Sequence, residues 1–174
     1  MSIPGQLATP SDTAVRILDV AERLLQSRGY NGFSFADVAA ELGITRAALH
    51  YHFPSKAELG RALIERYADR FAAALAELDA ALPDAPSRLA GYVEIYRRVL
   101  REDRMCLCGM LAAEYRTLPE PLRDRVWTFF EHNTAWLAET LAEGSRDGSL
   151  RVLGEPRDAA TMVLGGLELS LIHI

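Results

Sequence analysis

Apolar residues recur along this chain at intervals of three and four positions, which is the pattern of amphipathic helices. No stretch alternates apolar and polar residues over several positions as a half-buried strand does. The pattern predicts a first helix that starts at Ser11 or Asp12 and ends at Gly29. Its buried stripe is expected to hold Val15, Ile17, Leu18, Ala21, Leu24 and Leu25. Tyr30 and Phe33, in the loop that follows, are expected to fill the core between helices.

Residues 34–53 predict two short helices joined by a tight turn. The first has apolar residues at helical spacing, namely Phe35, Val38, Ala39 and Leu42. Ser34 can cap it, with Asp37 three positions later as in a capping box, and Gly43 suits a left-handed ending. Ile44 is expected to be buried in the turn, and Thr45 can cap the second helix.

Helix, glycine turn and helix is the layout of a DNA-binding helix-turn-helix. The second helix, Thr45 to His52, carries no acidic residue, and its small residues Ala47 and Ala48 allow close approach of a backbone. A surface that binds phosphates must lack negative charge, so this composition favours DNA binding. The competing interpretation is a helical hairpin that serves only for packing.

The rest of the chain also predicts helices. A long one spans about Lys56 to Leu82 and is followed by a break at Pro83 to Pro86. Further helices are expected at Ser87–Arg101, Met105–Tyr115 and Pro121–Glu143, then a loop over residues 144–156 and a last helix that starts at Pro156. The predicted fold is therefore all-α.

Composition limits the function classes. Apolar residues make up 49% of the 174 residues, without a run long enough to span a membrane. The first 13 residues lack a signal-peptide pattern and are expected to form a flexible arm, so a cytoplasmic location is predicted. The net charge of −5 is unusual for a nucleic-acid partner. However, residues 1–56 hold five basic and five acidic residues, so the acidic excess lies entirely after them.

The sequence GITRAALHYHFPSKAEL resembles the TetR/AcrR family of transcriptional regulators, whose hallmark has the form LYxHFxSKxxL. The resemblance is close over residues 11–71 and implies a helix-turn-helix DNA-binding domain there, followed by a helical ligand-binding and dimerisation domain at 72–174. His50 stands where the family usually has Tyr, so base preference does not transfer. The DNA-binding residues that it implies are Ser34, Thr45, Arg46, Ala47, His50, Tyr51, His52 and Lys56. Lys56 is expected to contact a phosphate, and Arg46 to contact a base or a phosphate.

The resemblance further implies a regulator, most often a repressor, that binds a palindromic operator as a dimer and responds to a small-molecule effector. Effector binding in the C-terminal part would tilt the long fourth helix and change the spacing of the two recognition helices. Candidate pocket residues are Tyr92, Tyr96, Cys106, Met110, Trp127, Phe130, His132, Asn133 and Trp136. Most of these could simply fill the core, but the Asn133 amide needs a polar partner that a ligand could supply.

Cys106 and Cys108 are the only cysteines, which with a cytoplasmic location argues against a structural disulfide. Residues two apart on a helix point to nearly opposite sides, so they do not readily hold one metal ion. Either is expected to be a small buried residue or, for Cys106, a sensor thiol as in some family members. A helix N-terminus with Arg101 and Arg104 nearby would lower the thiol pKa. A redox- or electrophile-sensing regulator is therefore an alternative function.

No nucleophile–base set, glycine-rich phosphate loop or metal-ligand spacing occurs, so neither an enzyme nor a cofactor is predicted. A helical interaction protein without DNA binding is the second alternative. Relatives of this architecture end with two long helices that pair in a dimer, whereas this chain stops at Ile174. Its final LSLIHI is what a transposon end used in sequencing adapters would encode, so truncation near Glu168 is expected. The remaining half of a dimer face is expected to hold Ala160, Val163, Leu164, Gly165, Gly166 and Leu167.

Overall fold

The computed structural model describes residues 12–170, which form eight α-helices and one short 3-10 turn. The predicted cap at Ser11, most of the predicted N-terminal arm and the last four residues lie outside the described residues. The helices are α1 Asp12–Arg28, α2 Phe35–Leu42, α3 Arg46–His52, α4 Lys56–Ala81, α5 Ala85–Arg101, α6 Leu107–Ala113, α7 Glu120–Asp147 and α8 Pro156–Ser170. The all-α prediction is confirmed. Within the described residues, every helix is too short or too polar to cross a membrane.

Helices α1 to α3 pack with the first half of α4 to form the N-terminal unit. Gly29 and Gly43 end α1 and α2 in the left-handed conformation, with φ of 80° and 66°, as predicted. Tyr30 and Phe33 are buried, also as predicted. Val15 was placed wrongly in the buried stripe of α1, since it is 38% exposed. At 100° per residue it lies roughly 120° around the helix from the centre of that stripe.

The second half of α4 packs with α5 to α8 in the C-terminal unit. Helix α7 is its centre, because it contacts α4, α5, α6 and α8. Aromatic rings of α4, α5 and α7 meet inside this unit. The continuous helix α4 belongs to both units, so it fixes the position of one relative to the other.

Several helix boundaries differ from the sequence prediction, and α6 is shorter at both ends, Leu107–Ala113 rather than Met105–Tyr115. Helix α5 begins at Ala85, because the Asp84 side chain caps it by accepting the Ser87 backbone N–H at 2.8 Å. Helix α7 continues to Asp147 and ends at Gly148, whose φ is 77°. The glycine expected to start the loop, Gly144, is instead a buried packing position, where an added Cβ would lie 2.5 Å from the Leu150 side chain.

Hydrogen bonds also join the N-terminal unit to α6 and its flanking segments. Gln26 of α1 forms two hydrogen bonds with Met105. Gln26 Nε2 donates to the Met105 carbonyl at 3.0 Å, and the Met105 backbone N–H donates to the Gln26 carbonyl at 3.3 Å. The Glu114 carboxylate, just after α6, accepts the backbone N–H of Tyr30 at 2.5 Å and that of Asn31 at 3.3 Å. These bonds hold the loop between α1 and α2 against the C-terminal unit.

Candidate nucleic-acid interface and interior polar cluster

Helix α3 is anchored by two apolar side chains and presents its remaining residues outward. Leu49 is fully buried and Phe53 is 9% exposed, and both belong to the core that α1 and α4 share. The Thr45 hydroxyl accepts the Ala48 backbone N–H at 3.1 Å, which confirms the predicted cap. Ile44 in the turn is half-buried rather than buried, and it packs against this core.

The residues predicted to contact DNA lie on the solvent side of α3. Arg46, Ala47 and His50 are exposed, Tyr51 is 85% exposed, and His52 is half-buried. The helix carries no acidic residue, so no negative charge of its own opposes a phosphate. The structure therefore presents one outward basic and aromatic surface that can lie against a duplex.

The start of α2 adjoins this surface. Ser34 and Asp37 form the predicted capping box, in which the Ser34 backbone N–H donates to Asp37 Oδ2 at 2.7 Å and the Asp37 backbone N–H donates to Ser34 Oγ at 3.4 Å. The Ser34 hydroxyl also donates to Asp37 Oδ2 at 2.6 Å. These hydrogen bonds from Ser34 are the main reason that the pKa of Asp37 lies below its usual value. Ser34, Arg46 and His50 line one shallow surface depression of about 180 Å³. The His50 ring is held there by the Phe35 ring, with centroids 4.9 Å apart.

Lys56 occupies a more enclosed position than the sequence suggests. Its ammonium donates to the Phe33 carbonyl at 2.5 Å and lies 4.5 Å from the ring centres of Tyr30 and Phe33. Burial lowers its pKa, with nearby Glu114 and Asp37 opposing that shift. In this position Lys56 fastens the start of α4 to the loop between α1 and α2. A phosphate contact by Lys56 remains a prediction.

A second group of predicted residues meets inside the C-terminal unit. The Tyr92 hydroxyl donates to Asn133 Oδ1 at 3.2 Å, and Asn133 Nδ2 donates to the Phe129 carbonyl at 2.8 Å. Both side chains are almost completely buried, at 0% and 3% exposure. The partner that the Asn133 amide needs is thus supplied within the chain. Tyr92 also stacks on Trp136, with ring centres 5.5 Å apart and planes 16° apart.

Glu168 of α8, which was not among the residues expected in a pocket, reaches the same interior. The Tyr96 hydroxyl donates to Glu168 Oε1 at 3.2 Å, and the Cys106 thiol faces the same carboxylate. Burial raises the pKa of Glu168. Its position continues the spacing of the buried residues Ala160 and Leu164 by four, so that periodicity was the available signal. We call Tyr92, Tyr96, Cys106, Asn133 and Glu168 the interior polar cluster.

The expectation of a low pKa at Cys106 is wrong. The residue does precede α6, and its sulfur accepts the Gly109 N–H at 3.4 Å. However, the thiol is 1% exposed, and burial followed by the Glu168 charge raises its pKa well above the usual range. Arg101 and Arg104 pair instead with Glu94 and Glu102. Cys108 is also buried, with a raised pKa.

The other pocket candidates are less enclosed. Trp127 is 61% exposed on the outside of α7, so its placement in an interior pocket is wrong. Met110 and Phe130 are half-buried at the edge of the core, and His132 is exposed beside the groove between α4 and α7. Their roles toward a ligand stay predictions.

Together with the cluster, the exposed helix α3 defines a helix-turn-helix protein that joins a DNA-binding surface to a helical domain with a polar interior.

Comparisons with known proteins agree with this class. Residues 17–63 match the family described as bacterial regulatory proteins, tetR family. The transcriptional regulator TtgR of Pseudomonas putida is 41% identical over 54 residues, which cover 31% of this chain and 26% of TtgR. The transcriptional repressor NemR of Escherichia coli is 25% identical over 89% of this chain and 80% of its own length. The crystal structure of a TetR-family regulator from Agrobacterium tumefaciens is 30% identical with a TM-score of 0.91, over 95% of this chain and 88% of that one.

The chain therefore belongs to the TetR family of bacterial transcriptional regulators. The match to TtgR is confined to about a quarter of that protein, whereas the structural likeness runs through both units. Helix-turn-helix DNA binding and transcription regulation follow from this membership and from the geometry of α3.

Proposed function

We propose that this protein is a repressor that binds a palindromic operator as a homodimer and releases it when an organic effector binds in the C-terminal unit. Residues 11–71 would form the DNA-binding domain and residues 72–174 the effector and dimerisation domain. Each subunit would place α3 in a major groove, with half-sites about one helical turn or slightly more apart. The observation that carries this proposal is the exposed, acid-free surface of α3 on a buried Leu49 anchor.

The proposed contacts divide by their position on α3. Arg46 and His50 stand one turn apart at the depression beside α2, so they are placed to reach base edges or phosphates. Thr45, Ala47, Tyr51, His52 and the nearby Ser34 would contact the backbone or permit its close approach. NemR, which resembles this chain over most of its length, is named as a repressor, and this supports the same direction of regulation here.

A gel shift with the DNA upstream of the protein's own gene tests this function. Arg46→Ala is expected to weaken specific binding by about 1–3 kcal/mol if Arg46 contacts a base. An equal loss on the upstream DNA and on a random duplex of the same length would assign it to a phosphate. Arg97→Ala removes an exposed arginine from α5 and serves as the control for net charge. Absence of any specific complex with the unaltered protein would contradict the proposal.

The dimer face that we propose differs from the one expected from sequence. The prediction that Ala160 and Leu164 belong to the dimer face is wrong, because they pack inward against the chain's own core at 0% and 6% exposure. The outward positions of α8 recur at helical spacing as Met162, Gly165 and Gly166. Met162 is 77% exposed, and nothing lies within 4 Å of a Cβ added at either glycine. Small residues beside large apolar ones allow two helices to approach closely.

Sedimentation of the purified protein tests this face. Met162→Glu is expected to shift the protein toward the monomer at micromolar concentration, because a buried unpaired carboxylate opposes association. Glu155→Gln, on the exposed loop before α8, is a control that should leave the dimer unchanged. An unaltered dimer in Met162→Glu would exclude the outward face of α8 as its interface.

A further inference from the structure

The Glu168 carboxylate is the one acidic group of the interior polar cluster, and it has no cationic partner among the residues that the structure describes. Its hydrogen bonds come from the Tyr96 hydroxyl and the Cys106 thiol. Within residues 12–170, no lysine, arginine or histidine forms an ion pair with it. Glu168 is half-buried, and a carboxylate partly removed from water without a countercharge is costly, so a cation beside it would offset that cost.

The carboxylate of Glu168 occupies space that is free because residue 109 is a glycine. Glu168 Oε2 lies so close to the backbone of α6 that a Cβ added at Gly109 would be 2.1 Å from it. Any other residue at position 109 would therefore displace the carboxylate. Burial raises the pKa of Glu168, and its hydrogen bonds from Cys106 and Tyr96 oppose that shift.

Aromatic rings of α4, α5 and α7 adjoin this group through Tyr96. The Phe71 ring is central, with the rings of Tyr96, Tyr92 and Phe129 centred 6.0, 5.9 and 5.2 Å from it. Tyr67, whose hydroxyl is 3.6 Å from Cys106 Sγ, completes this set at 6.2 Å from Phe71. The faces of aromatic rings attract organic cations, most strongly where water is excluded.

A route from solvent leads toward these rings. A groove of about 370 Å³ between α4 and α7 carries Glu65 and Asp69 at its surface, with Arg125 and His132 on the α7 side. It shares Ala68, Ala72, Phe129 and His132 with a cavity of about 40 Å³. That cavity touches Phe71 and Asn133, and it is only large enough for about one water molecule. A ligand would therefore enlarge it by turning the Phe71 and Phe129 rings.

We infer that the effector of this regulator is a small organic cation, such as a quaternary ammonium compound, whose charged group pairs with Glu168 among the rings of Tyr67, Phe71 and Tyr96. The apolar part of the ligand would lie along Phe71 and Phe129 toward the groove. This inference deepens the proposed function, because it names the chemical class of the effector and the residue that selects it. A neutral or anionic molecule of the same shape would lack the attraction to Glu168.

Calorimetric titration with phenyltrimethylammonium and its uncharged carbon isostere tert-butylbenzene tests the inference. Both share one shape, and both are used below the solubility limit of the hydrocarbon. The cation is expected to bind at least about tenfold more tightly, since its partner is a half-buried charge. Equal affinity, or preference for the hydrocarbon, would overturn the inference.

Glu168→Gln is expected to remove most of this tenfold preference while binding of tert-butylbenzene stays the same. Glu139→Gln, which removes the same charge from the exposed side of α7, is the matched control. Gly109→Ala provides a second variant, because it retains the Glu168 charge but displaces the carboxylate. Circular dichroism of each variant shows that it is folded. A preference for the cation that survives both Glu168→Gln and Gly109→Ala would also overturn the inference.

The gel shift separates this inference from the proposed function on which it rests. Loss of the operator complex on addition of phenyltrimethylammonium, but not of tert-butylbenzene, is the expected result. If the protein binds its operator and the cation neither binds nor releases it, the cation inference fails and the repressor proposal stands. If no operator complex forms at all, the repressor proposal fails, while the titration still decides whether Glu168 selects cations.

Discussion

The surface of α3 and the interior polar cluster are built in opposite ways. All of the α3 surface comes from the short segment Ser34 to Phe53, held by the buried side chains of Leu49 and Phe53 and by caps within the same segment. The cluster instead draws Tyr92, Cys106, Asn133 and Glu168 from or beside four different helices. Substitutions at the outward residues of α3 should therefore leave the fold intact. The geometry of the interior polar cluster instead depends on the packing of the whole helical bundle.

The largest effect is expected at the anchor of α3. Leu49→Ala should lower the free energy of unfolding by about 2–5 kcal/mol, because it leaves a cavity at a fully buried position. Leu153→Ala, at a leucine that is 79% exposed, should change it by less than about 0.5 kcal/mol. Urea unfolding followed by circular dichroism measures both. Similar losses in the two variants would show that α3 does not depend on this anchor.

A smaller loss is expected from the interior polar cluster. Tyr92→Phe removes the hydroxyl that donates to Asn133 and leaves a buried amide oxygen unpaired, which should cost about 1–3 kcal/mol. Tyr115→Phe removes a hydroxyl from a tyrosine that is 39% exposed and is the matched control. Urea unfolding compares the two. Equal stability of both variants would mean that Asn133 finds another partner, so the cluster would be adaptable rather than fixed.

The smallest effect is expected at the cap of α2. Ser34→Ala should cost about 0.5–2 kcal/mol in the free energy of unfolding, as N-cap losses generally do. Because hydrogen bonds from Ser34 lower the pKa of Asp37, the capping contribution is present above the ordinary aspartate pKa. This contribution to stability is lost as the pH falls through the lowered pKa of Asp37 in the folded protein.

The variant should therefore bring the Asp37 pKa back toward its ordinary value, which carboxyl NMR can follow. Asp124→Asn, an exposed change on α7, controls for the loss of an acidic surface group. An unchanged Asp37 pKa in Ser34→Ala would show that some other group sets it.

The same contrast explains which features could be predicted from sequence. The caps at Ser34 and Thr45 and the turn at Gly43 are local, so short-range spacing was enough to predict them. Tyr92, which donates to Asn133, and Tyr96, which donates to Glu168, lie more than 40 positions from those residues in the chain. No short-range pattern contains that information. Gly144 shows the same limit, because contact with Leu150 and Ala85 makes it a packing position.

Helix α4 has a mechanical consequence that follows from its length. Its 26 residues form one unbroken rod of about 39 Å, with Lys56 fastened to the N-terminal loop at one end and Phe71 among the interior rings farther along. A swing of about 2° in a rod of this length displaces its tip by roughly 1.4 Å. That exceeds the range of about 0.5 Å over which the donor–acceptor distance of an N–H···O hydrogen bond varies. In the proposed dimer, a ring that turns in the interior would thus shift the two recognition helices away from their half-sites without unfolding a single helical turn.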